Sequence, residues 1–537
     1  MSDLAPEIRR RRTFAIISHP DAGKTTLTEK LLLFSGAIQI AGSVKARKAS
    51  RHATSDWMEI EKQRGISVAS SVMQMEYGDC VINLLDTPGH QDFSEDTYRV
   101  LTAVDAALMV IDAANGVEPQ TRRLLQVCRA RNTPILTFIN KMDREVKDPL
   151  ALMDEIEQEL GMTVVPFTWP VGMAKFFHGV MDLRKDQMRL FEPGEDRAGG
   201  DEEVLNDLQD AAHVERFGGP FEQALGEVEL VREAAPAFDL AEFLAGRQTP
   251  MFFGSAINNF GVREILDALV ALAPPPGNRQ AIERTVEPTE DKFSGVVFKV
   301  QANMDPAHRD RIAFVRVSSG KFTRGMRLKV VRNGKEIRPQ TVVSFLSQRR
   351  ELVDEAVAGD IIGIPNHGLL QLGDTLTEGE LLHYTGLPFF APESFRTVEI
   401  KDPLRGKQLR QGLQQLGEEG AIQVFTPVSG GSLMLGAIGQ LQFEVVLHRL
   451  KSEYGVEARL EPCRFSIARW ITSADEAKLK KFIDSEPLRI AHDVVGAPAF
   501  LVQYSSDLRV AQERAPDIQF HAMREHSGRV FGEAPTN

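Results

Sequence analysis

Residues 18–26 read SHPDAGKTT and end in the Gly-Lys-Thr of a phosphate-binding loop. The general pattern of such loops begins with a glycine, where this chain has Ser18. An apolar run, TFAIIS at residues 13–18, precedes the loop, and a stretch with helical periodicity, KTTLTEKLLLFSG at residues 24–36, follows it. This order predicts a strand, a loop and a helix, with backbone N–H groups and the helix N-terminus facing a phosphate.

Each residue type in the loop suits a nucleotide. Gly23 permits the tight turn, Lys24 would reach the β- and γ-phosphates, and the Thr25 hydroxyl would ligate Mg²⁺. The nucleotide contacts predicted from this loop are Ser18, His19, Pro20, Asp21, Ala22, Gly23, Lys24, Thr25 and Thr26.

A second motif, VINLLDTPGHQDF, occupies residues 81–93. Its apolar run predicts a buried strand that ends at Asp86, from which a carboxylate can hold Mg²⁺ through water. Gly89 would offer a backbone N–H to the γ-phosphate, and His90 follows it. The alternative is an ordinary turn after a strand. The distance between this motif and the first loop fits an intervening helix and hairpin, which favours a nucleotide site. The contacts predicted here are Asp86, Thr87, Pro88, Gly89 and His90.

Two further segments predict which base is bound. The stretch PILTFINKMD, residues 134–143, places Asn140, Lys141, Met142 and Asp143 at the C-terminal end of a strand, where parallel α/β sheets bind ligands. The Asp143 carboxylate can accept from N1–H and N2–H of guanine, whereas adenine would leave it unpaired, a mismatch that discriminates by roughly 10⁴. In MFFGSAINNFGVREIL, residues 251–266, Ser255 and Ala256 are suited to placing backbone donors near the guanine O6. The sequence therefore predicts a site for GTP and GDP.

Composition limits the class of protein. A chain of 537 residues is expected to form two to four domains. The net charge of −12 argues against general coating of nucleic acid but leaves room for a local basic face. Three scattered cysteines predict neither a disulfide framework nor a zinc site. No apolar run approaches the roughly 18 residues of a membrane span. From the charge, the cysteines and the apolar runs together, we expect a cytoplasmic protein that binds neither DNA nor a membrane.

The motifs together are similar to the GTPase domain of translational GTPases. The stretch DWMEIEKQRGIS, residues 56–67, looks like the switch segment of elongation factor G and its relatives. Within these proteins, the full set of motifs resembles the bacterial release factor 3 family, whose loop also accommodates the serine at position 18. Ser67 stands where elongation factors carry a threonine that senses the γ-phosphate. Because serine keeps the hydroxyl, the resemblance implies Ser67 as a Mg²⁺ ligand beside Thr25 and Asp86.

The rest of the chain predicts a multi-domain protein with an α/β P-loop GTPase domain, a β-barrel domain and an α+β, ferredoxin-like domain. APPPGNRQ at residues 273–280 is typical of a linker, and short alternating strands with glycine turns follow it. From about Pro392 strands and helices alternate. The predicted boundaries are 1–273 for the GTP-binding domain, 281–390 for the barrel and 391–537 for the third domain.

The resemblance also implies a function. It implies a monomeric, ribosome-stimulated GTPase in which His90 orients the attacking water, and whose partners are ribosomal RNA and proteins. In this family the GTP form promotes departure of a class I release factor, without codon specificity, after the peptide has been freed.

Two alternatives stay open. One is another ribosomal GTPase, a translocase or a stress factor, which we disfavour because we expect no further domains after the third and because of Ser18 and Ser67. The other is a GTPase switch that never binds ribosomes, which co-sedimentation with ribosomes would separate.

Overall fold

A computed structural model of the chain describes residues 4–37, 68–191, 203–208, 210–302, 311–346 and 349–525. These residues form three parts, which follow one another along the chain. The first two parts share one sheet, and side-chain contacts join the third part to both.

The first part contains eleven described strands and nine described helices. The strands are β1 (Arg11–Ser18), β2 (Ser71–Tyr77), β3 (Cys80–Asp86), β4 (Ala106–Asp112), β5 (Ile135–Asn140), β6 (Thr163–Pro166), β7 (Thr168–Val171), β8 (Gly179–Asp182), β9 (Gln187–Leu190), β10 (Val204–Asn206) and β11 (Gln248–Phe253). The helices are α1 (Ala5–Arg9), α2 (Lys24–Phe34), α3 (Ser94–Leu101), α4 (Pro119–Ala130), α5 (Pro149–Leu160), α6 (Ala211–Phe217), α7 (Gly219–Ala234), α8 (Leu240–Leu244) and α9 (Val262–Leu272). Short 3₁₀ turns occur at Gln91–Phe93, Ala174–Phe176 and Ala256–Asn258.

The central sheet of this part has the strand order β2-β3-β1-β4-β5-β11-β6. Every neighbouring pair is parallel except β2 with β3. Strands β3, β4 and β5 are buried along their whole length because helices cover both faces of the sheet. In β1, Phe14 packs in the cluster that contains residues of α2 and α9, whereas Ala15 packs on the opposite face with α4 and α5.

An insertion lies between β6 and β11. Its four strands pair in the order β10-β9-β8-β7, all antiparallel, and α6, α7 and α8 follow them. The side chain of Trp169 in β7 is fully buried and donates to Glu227 of α7 at 2.9 Å, which fixes that helix against the small sheet.

The second part is the predicted β-barrel domain. Its strands are β12 (Arg279–Gln280), β13 (Thr285–Val286), β14 (Ser294–Ala302), β15 (Arg311–Ser319), β16 (Lys321–Thr323), β17 (Leu328–Val330), β18 (Glu336–Ile337), β19 (Val343–Leu346), β20 (Arg349–Leu352), β21 (Glu355–Val357), β22 (Ile361–Pro365) and β23 (Thr375–Thr377). Seven of them form the antiparallel order β18-β17-β23-β14-β15-β22-β19. A single parallel pair between Leu346 and Gln74 joins β19 to β2, so the barrel sheet continues into the sheet of the first part.

The third part has the predicted α+β fold, and the structure shows that the fold occurs twice in it. Its strands are β24 (Pro388–Phe390), β25 (Ser394–Ile400), β26 (Gln423–Pro427), β27 (Met434–Ala437), β28 (Ala458–Pro462), β29 (Ile467–Thr472), β30 (Ile490–His492), β31 (Pro498–Val502), β32 (Gln519–His521) and β33 (Met523–Glu525). Its helices are α10 (Gly406–Glu418), α11 (Gln440–Tyr454), α12 (Glu476–Ser485) and α13 (Ser505–Arg514), with a 3₁₀ turn at Pro403–Arg405.

Two successive β-α-β-β-α-β units share one eight-stranded sheet, in the order β28-β25-β27-β26-β30-β31-β29-β32. The units meet where Thr426 of β26 pairs with His492 of β30. The sequence predicted the alternation of strands and helices but not that the unit repeats. The predicted domain boundaries stay predictions.

Candidate nucleotide-binding site

Four polar residues end four neighbouring strands of the first sheet: Ser18 in β1, Asp86 in β3, Asp112 in β4 and Asn140 in β5. Because these strands are parallel and adjacent, their C-terminal ends lie along one edge of the sheet. Ligands of open α/β sheets bind at this edge. The predicted phosphate and base motifs therefore converge on one place.

The phosphate loop has the conformation that its glycine predicts. Gly23 has a φ of +93°, in the left-handed region, and a methyl group added there would overlap the side-chain amide of Asn140. Helix α2 begins immediately afterwards, and no side chain in the described part of the chain caps its N-terminus. The first-turn N–H groups are thus left for an anion, which the helix dipole also favours.

Ser18 is accommodated because it belongs to the strand rather than to the turn. It pairs with Val110 of β4, and its φ is not positive. Its buried hydroxyl has no hydrogen-bond partner among the described residues. A glycine is therefore not required at this position by the backbone conformation.

Lys24 and Asp86 form a buried ion pair at the start of α2. The second carboxylate oxygen of Asp86, Oδ2, is also buried and has no hydrogen-bond partner among the described residues. Leaving a buried carboxylate oxygen unsatisfied is costly, so this oxygen suits a cation or its bound water. Thr25 lies in the first turn of α2, beside Lys24.

The donors fit a divalent cation that is only partly held by protein. No group of three His, Cys, Asp or Glu side chains within the described ranges could hold a metal ion by itself. Mg²⁺ typically uses one or two protein oxygens and completes its shell with phosphates and water. The oxygens of Thr25 and Asp86 match that requirement. Ser67, the third predicted ligand, lies outside the described residues.

The loop after β3 lies against the phosphate loop. The Thr87 hydroxyl donates to the Ile16 carbonyl at 2.6 Å and fixes the loop to β1. A methyl group added at Gly89 would lie 3.3 Å from the Cα of Pro20, so only a glycine leaves full room for this approach. Pro88 is fixed from the other side, because its carbonyl accepts from the Thr97 hydroxyl at 3.2 Å.

His90 caps the 3₁₀ turn at Gln91–Phe93. Its Nδ1 accepts from the Asp92 amide at 3.2 Å, and its side chain is about one third exposed. The same Nδ1 also lies 3.4 Å from Oδ1 of Asp92. The ring also lies near Phe93, with the centroids 6.2 Å apart. His90 is thus oriented by the loop after β3 itself and is partly open to solvent.

Asn140 joins the phosphate loop to the base-binding loop. Its Nδ2 donates to the Ala22 carbonyl at 2.9 Å, and its Oδ1 accepts from the Ala256 amide at 2.9 Å. The side chain is 2% exposed. Both ends of Asn140 are satisfied by protein, so its role is to fix the two loops relative to each other.

Asp143 is oriented by a chain of side-chain hydrogen bonds. Its Oδ1 accepts from the Ser255 hydroxyl at 2.5 Å, and the Ser255 oxygen accepts from Asn258 Nδ2 at 2.9 Å. Ser255 is fully buried, whereas Asp143 is half-buried. The carboxylate therefore has one oxygen held by protein and one available to a base.

Lys141 spans the site. It has a φ of +73°, and its Nζ donates to the Asp21 carbonyl at 2.5 Å and to Asp112 Oδ2 at 2.7 Å. Asp112 was missed in the sequence analysis, although its position at the end of β4 follows the same rule as that of Asp86 and Asn140.

Two other contacts were also missed. Asn258 has no sequence signal that separates it from a loop residue. His19 Nε2 lies 3.2 Å from a Glu118 carboxylate oxygen, a pair that joins the phosphate loop to the start of α4. Glu118 is distant in sequence and could not be assigned to the site from its neighbours.

The other predicted residues have supporting positions. Met142 is fully buried, and its amide donates to the Gly254 carbonyl at 3.1 Å, which holds the base-binding loop against β11. Thr26 lies in the first turn of α2 and is half-buried. The structure brings together all predicted site residues that it describes, while their contacts with a nucleotide stay predictions.

The turn at Gln91–Phe93 and helix α3, which follows it, contact the other two parts. Asp92 Oδ2 accepts from the Leu441 amide of α11 at 2.8 Å, and Arg99 donates to the Gly420 carbonyl at 3.1 Å. Asp96 Oδ2 lies 3.5 Å from Lys299 Nζ of the barrel. This short segment therefore joins the loop after β3 to both neighbouring parts.

Comparison with family models matches three successive segments. Residues 9–275 match the elongation factor Tu GTP binding domain, residues 292–379 match elongation factor G domain 2, and residues 384–512 match the class II release factor RF3, C-terminal domain.

Full-length relatives give a more specific comparison. The chain is 76% identical over 531 residues to peptide chain release factor 3 of Bordetella avium, covering 99% of each chain. It is 72% identical over 529 residues to peptide chain release factor 3 of Nitrosomonas eutropha, covering 98% of this chain and 99% of the relative. Both identities extend through the third part, so they are not limited to the nucleotide-binding domain.

A solved structure from Thermus thermophilus has a similar fold. The TM-score is 0.68 at 24% identity, and the match covers 87% of this chain and 69% of that protein. Among the described residues, none of the helices has both the length and the apolar character needed to cross a bilayer.

Proposed function

The chain belongs to the peptide chain release factor 3 family, and we propose that it is a ribosome-stimulated GTPase that promotes the departure of class I release factors after peptide release. Its action requires no codon reading, because the codon is read by the factor that leaves. The observation that carries this proposal is the high identity over 99% of the chain, third part included. We also propose that it works in the cytoplasm as a monomer and that its binding partners are ribosomal RNA and ribosomal proteins.

Nucleotide binding is assigned to the edge of the first sheet. The phosphates would lie at the N-terminus of α2 and pair with Lys24, which in the structure is held by Asp86. The guanine would be read by Asp143, whose carboxylate is already oriented by Ser255. Asn140 keeps the phosphate and base subsites at a fixed separation, so both ends of GTP can be recognised together.

Thr25, Asp86 and Ser67 would hold Mg²⁺, which neutralises charge that develops on the phosphates. Lys24 contributes a second positive charge at the same place. His90 would orient the water that attacks the γ-phosphate, with Asp92 fixing the imidazole through its amide. Among the described residues no arginine contacts the phosphate loop in a way that would stabilise the transition state, so we expect slow hydrolysis without the ribosome.

Loss of the γ-phosphate would affect the barrel and the third part through α3 and the turn before it. This helix contacts the third part through Arg99 and the barrel through Asp96, and Asp92 in the turn before it also contacts the third part. Two nucleotide states that position α3 differently would favour two arrangements of the three parts. Since a ligand can shift an equilibrium only by its differential affinity, GTP must change how tightly the protein binds the two ribosomal states.

The test is the dissociation rate of a labelled class I release factor from ribosomes stopped at a stop codon after peptide release. We expect GTP with the wild-type protein to accelerate dissociation by at least about tenfold, and Lys24→Ala to abolish the acceleration because phosphate binding is lost. Lys335→Ala, an exposed lysine in the barrel, is the matched control and should accelerate like wild type.

If ribosomes stimulate hydrolysis but the release factor leaves no faster, the protein is a translational GTPase with another task. If ribosomes neither bind the protein nor stimulate it, the ribosomal assignment is wrong.

A further inference from the structure

The start of α10 presents an exposed basic surface, which we call the α10 basic face and define by Leu404, Arg405, Lys407, Arg410 and Gln411. All five side chains are exposed. Residues 403–417 contain three cations and no Asp or Glu.

The cations of the α10 basic face have no protein partners in the described part of the chain. Arg405, Lys407 and Arg410 form no ion pair or side-chain hydrogen bond there. Lys407 and Arg410 are three residues apart, so they project from the same side of the helix. The opposite side of α10 is buried through Leu409, Leu413 and Leu416. The helix is thus anchored by its apolar side, and its cations are free to meet a ligand.

A neighbouring group extends the positive surface. Arg405 lies beside Gly455, at the end of α11, with Nη1 3.9 Å from the position of a Cβ there. Close in sequence to Gly455, Glu457 is shared by two lysines, Lys401 at 3.1 Å and Lys451 at 2.9 Å. One carboxylate between two cations leaves one net positive charge beside the α10 basic face, while Asp402, which precedes the turn, offsets one positive charge.

Leu404 marks the tip of this surface. It lies in the 3₁₀ turn that precedes α10 and is 89% exposed, more than any other large apolar side chain in the described part of the chain. The turn is held in place because the Asp402 carboxylate accepts from the Leu404 amide at 3.0 Å. A leucine held outward beside cations can contact a sugar or a base while the cations pair with phosphates.

We infer that the α10 basic face docks on an RNA backbone, which on the proposed function is ribosomal RNA. Arginine suits phosphate because its planar guanidinium can donate two parallel hydrogen bonds. An acidic protein would itself be repelled by RNA, so a local positive face also decides which side approaches. The helix α12 does not offer the same charge, since residues 475–484 contain three acidic residues against three lysines.

The test compares two double variants of the full-length protein in a ribosome-binding assay with a non-hydrolysable GTP analogue. Lys407→Glu with Arg410→Glu is expected to weaken binding by at least about tenfold and to reduce the slope of log affinity against log salt by about two, one for each phosphate that is no longer neutralised. The control is Lys480→Glu with Lys481→Glu on α12, which is expected to weaken binding by less than about threefold. Binding of GTP without ribosomes should be unchanged in both variants, which shows that the site at the first sheet is intact.

A second measurement identifies the partner. Cys80 and Cys128 are buried, whereas Cys463 is partly exposed and is replaced by serine. A cysteine introduced at Gln411 is then the accessible thiol, and it can carry an iron chelate that generates hydroxyl radicals. Cleavage of ribosomal RNA near the chelate is the expected result.

Wild-type affinity in the Lys407 and Arg410 variant, or equal weakening in the α12 control, would overturn the inference. Weakened binding without RNA cleavage would indicate that the α10 basic face contacts a ribosomal protein, and this result would also overturn the inference. Failure of the wild-type protein to bind ribosomes would instead remove the proposed function.

Discussion

His90 is held by a hydrogen bond within the loop that follows β3. Its Nδ1 accepts from the Asp92 amide within the same turn, so the imidazole position follows the backbone of the loop. The side chain is about one third exposed, so its outer edge can contact water.

We expect His90→Ala to bind GTP within about twofold of wild type but to lose at least about 100-fold of ribosome-stimulated hydrolysis, the usual scale for a group that handles a reacting proton or water. Phosphate release in single-turnover reactions measures this. His367→Ala, which removes an exposed histidine of the barrel, is the control. Near-normal hydrolysis in His90→Ala would remove His90 from its assigned role.

The base specificity that we propose for Asp143 depends on the orientation of its carboxylate as well as on its charge. Ser255 holds one carboxylate oxygen, so the other is available to the guanine edge. Inosine triphosphate lacks the N2 amino group and is therefore a probe of this contact.

We expect Asp143→Ala to weaken GTP binding by at least about 100-fold and to bind GTP and inosine triphosphate equally, whereas wild type prefers GTP. Ser255→Ala should lose less, about 5- to 10-fold, because it removes only an orienting hydrogen bond. Equilibrium titration with fluorescent nucleotides measures both affinities. A variant at Asp143 that still prefers GTP would assign the reading to another group.

At the scale of elements, the junction of β1 and α2 depends on one backbone conformation. Gly23 is at the N-cap of α2 with a φ of +93°, and its missing side chain leaves room for Asn140. Any other residue type there would strain the turn and push against the residue that joins the two subsites.

We therefore expect Gly23→Ala to abolish measurable GTP binding and to lower the free energy of unfolding of the first part by at least about 1 kcal/mol. The matched control is Gly36→Ala at the other end of α2, which also has a positive φ, of +76°, but has nothing within 4 Å of an added methyl group. It should lose stability but keep GTP binding. Nucleotide titration and thermal unfolding separate the two effects, and retained binding in Gly23→Ala would contradict this account of the loop.

Elements differ in how well the sequence predicted them. The parallel strands were predictable because their burial on both faces requires continuous apolar runs, as in β4 and β5. The repeated β-α-β-β-α-β unit was not, since strands such as β30 and β32 have only three residues each and carry little periodicity. Their place in the sheet is decided by pairing with strands that are remote in sequence.

At the scale of the whole molecule, Asp92 links the nucleotide site to the third part. Helix α11 begins after Gly439, which has no side chain to cap it, and the Asp92 carboxylate accepts from the Leu441 amide instead. A methyl group at Gly439 would overlap this carboxylate. A side chain of the first part thus caps a helix of the third part.

We expect Asp92→Ala to speed amide hydrogen exchange at Leu441 by about fivefold, the equivalent of about 1 kcal/mol for a lost cap, and to reduce the GTP-dependent acceleration of release factor departure. The control, Asp475→Ala, removes a cap of α12 within the third part, where Asp475 accepts from the Ala477 amide at 2.9 Å. It should leave the acceleration unchanged. Unchanged exchange at Leu441 in Asp92→Ala would show that the link is not formed.

Asp96 makes the junction with the barrel sensitive to acid. Burial alone would raise its pKa, but the Lys299 ammonium and hydrogen bonds from Ser70 bring the pKa below its ordinary value of 3.8. A folded-state pKa below the unfolded one stabilises the junction above pH 3.8, and this contribution is lost as the pH falls through the lowered value.

We expect exchange of the Ser70 amide, followed from pH 6 downwards and corrected for intrinsic rates, to accelerate below about pH 4 in wild type. Asp96→Asn should exchange faster at pH 6 and show little further change. Asp484→Asn, which alters an exposed carboxylate of α12, is the control. The same acid response in wild type and Asp96→Asn would assign the effect to another group.

The family, the GTPase domain and its motifs could be predicted from the residues alone, because loop and strand-end residues must be of particular types to meet a phosphate, a metal or a base. The folded structure was needed to show that Asp112, Glu118 and Asn258 support that site, that the ferredoxin-like unit is doubled, and that α3 and the turn before it contact both other parts. Those features depend on contacts between segments far apart in the chain, such as Asp92 with Leu441. The identity of each partner is fixed by packing, which local composition and periodicity do not encode.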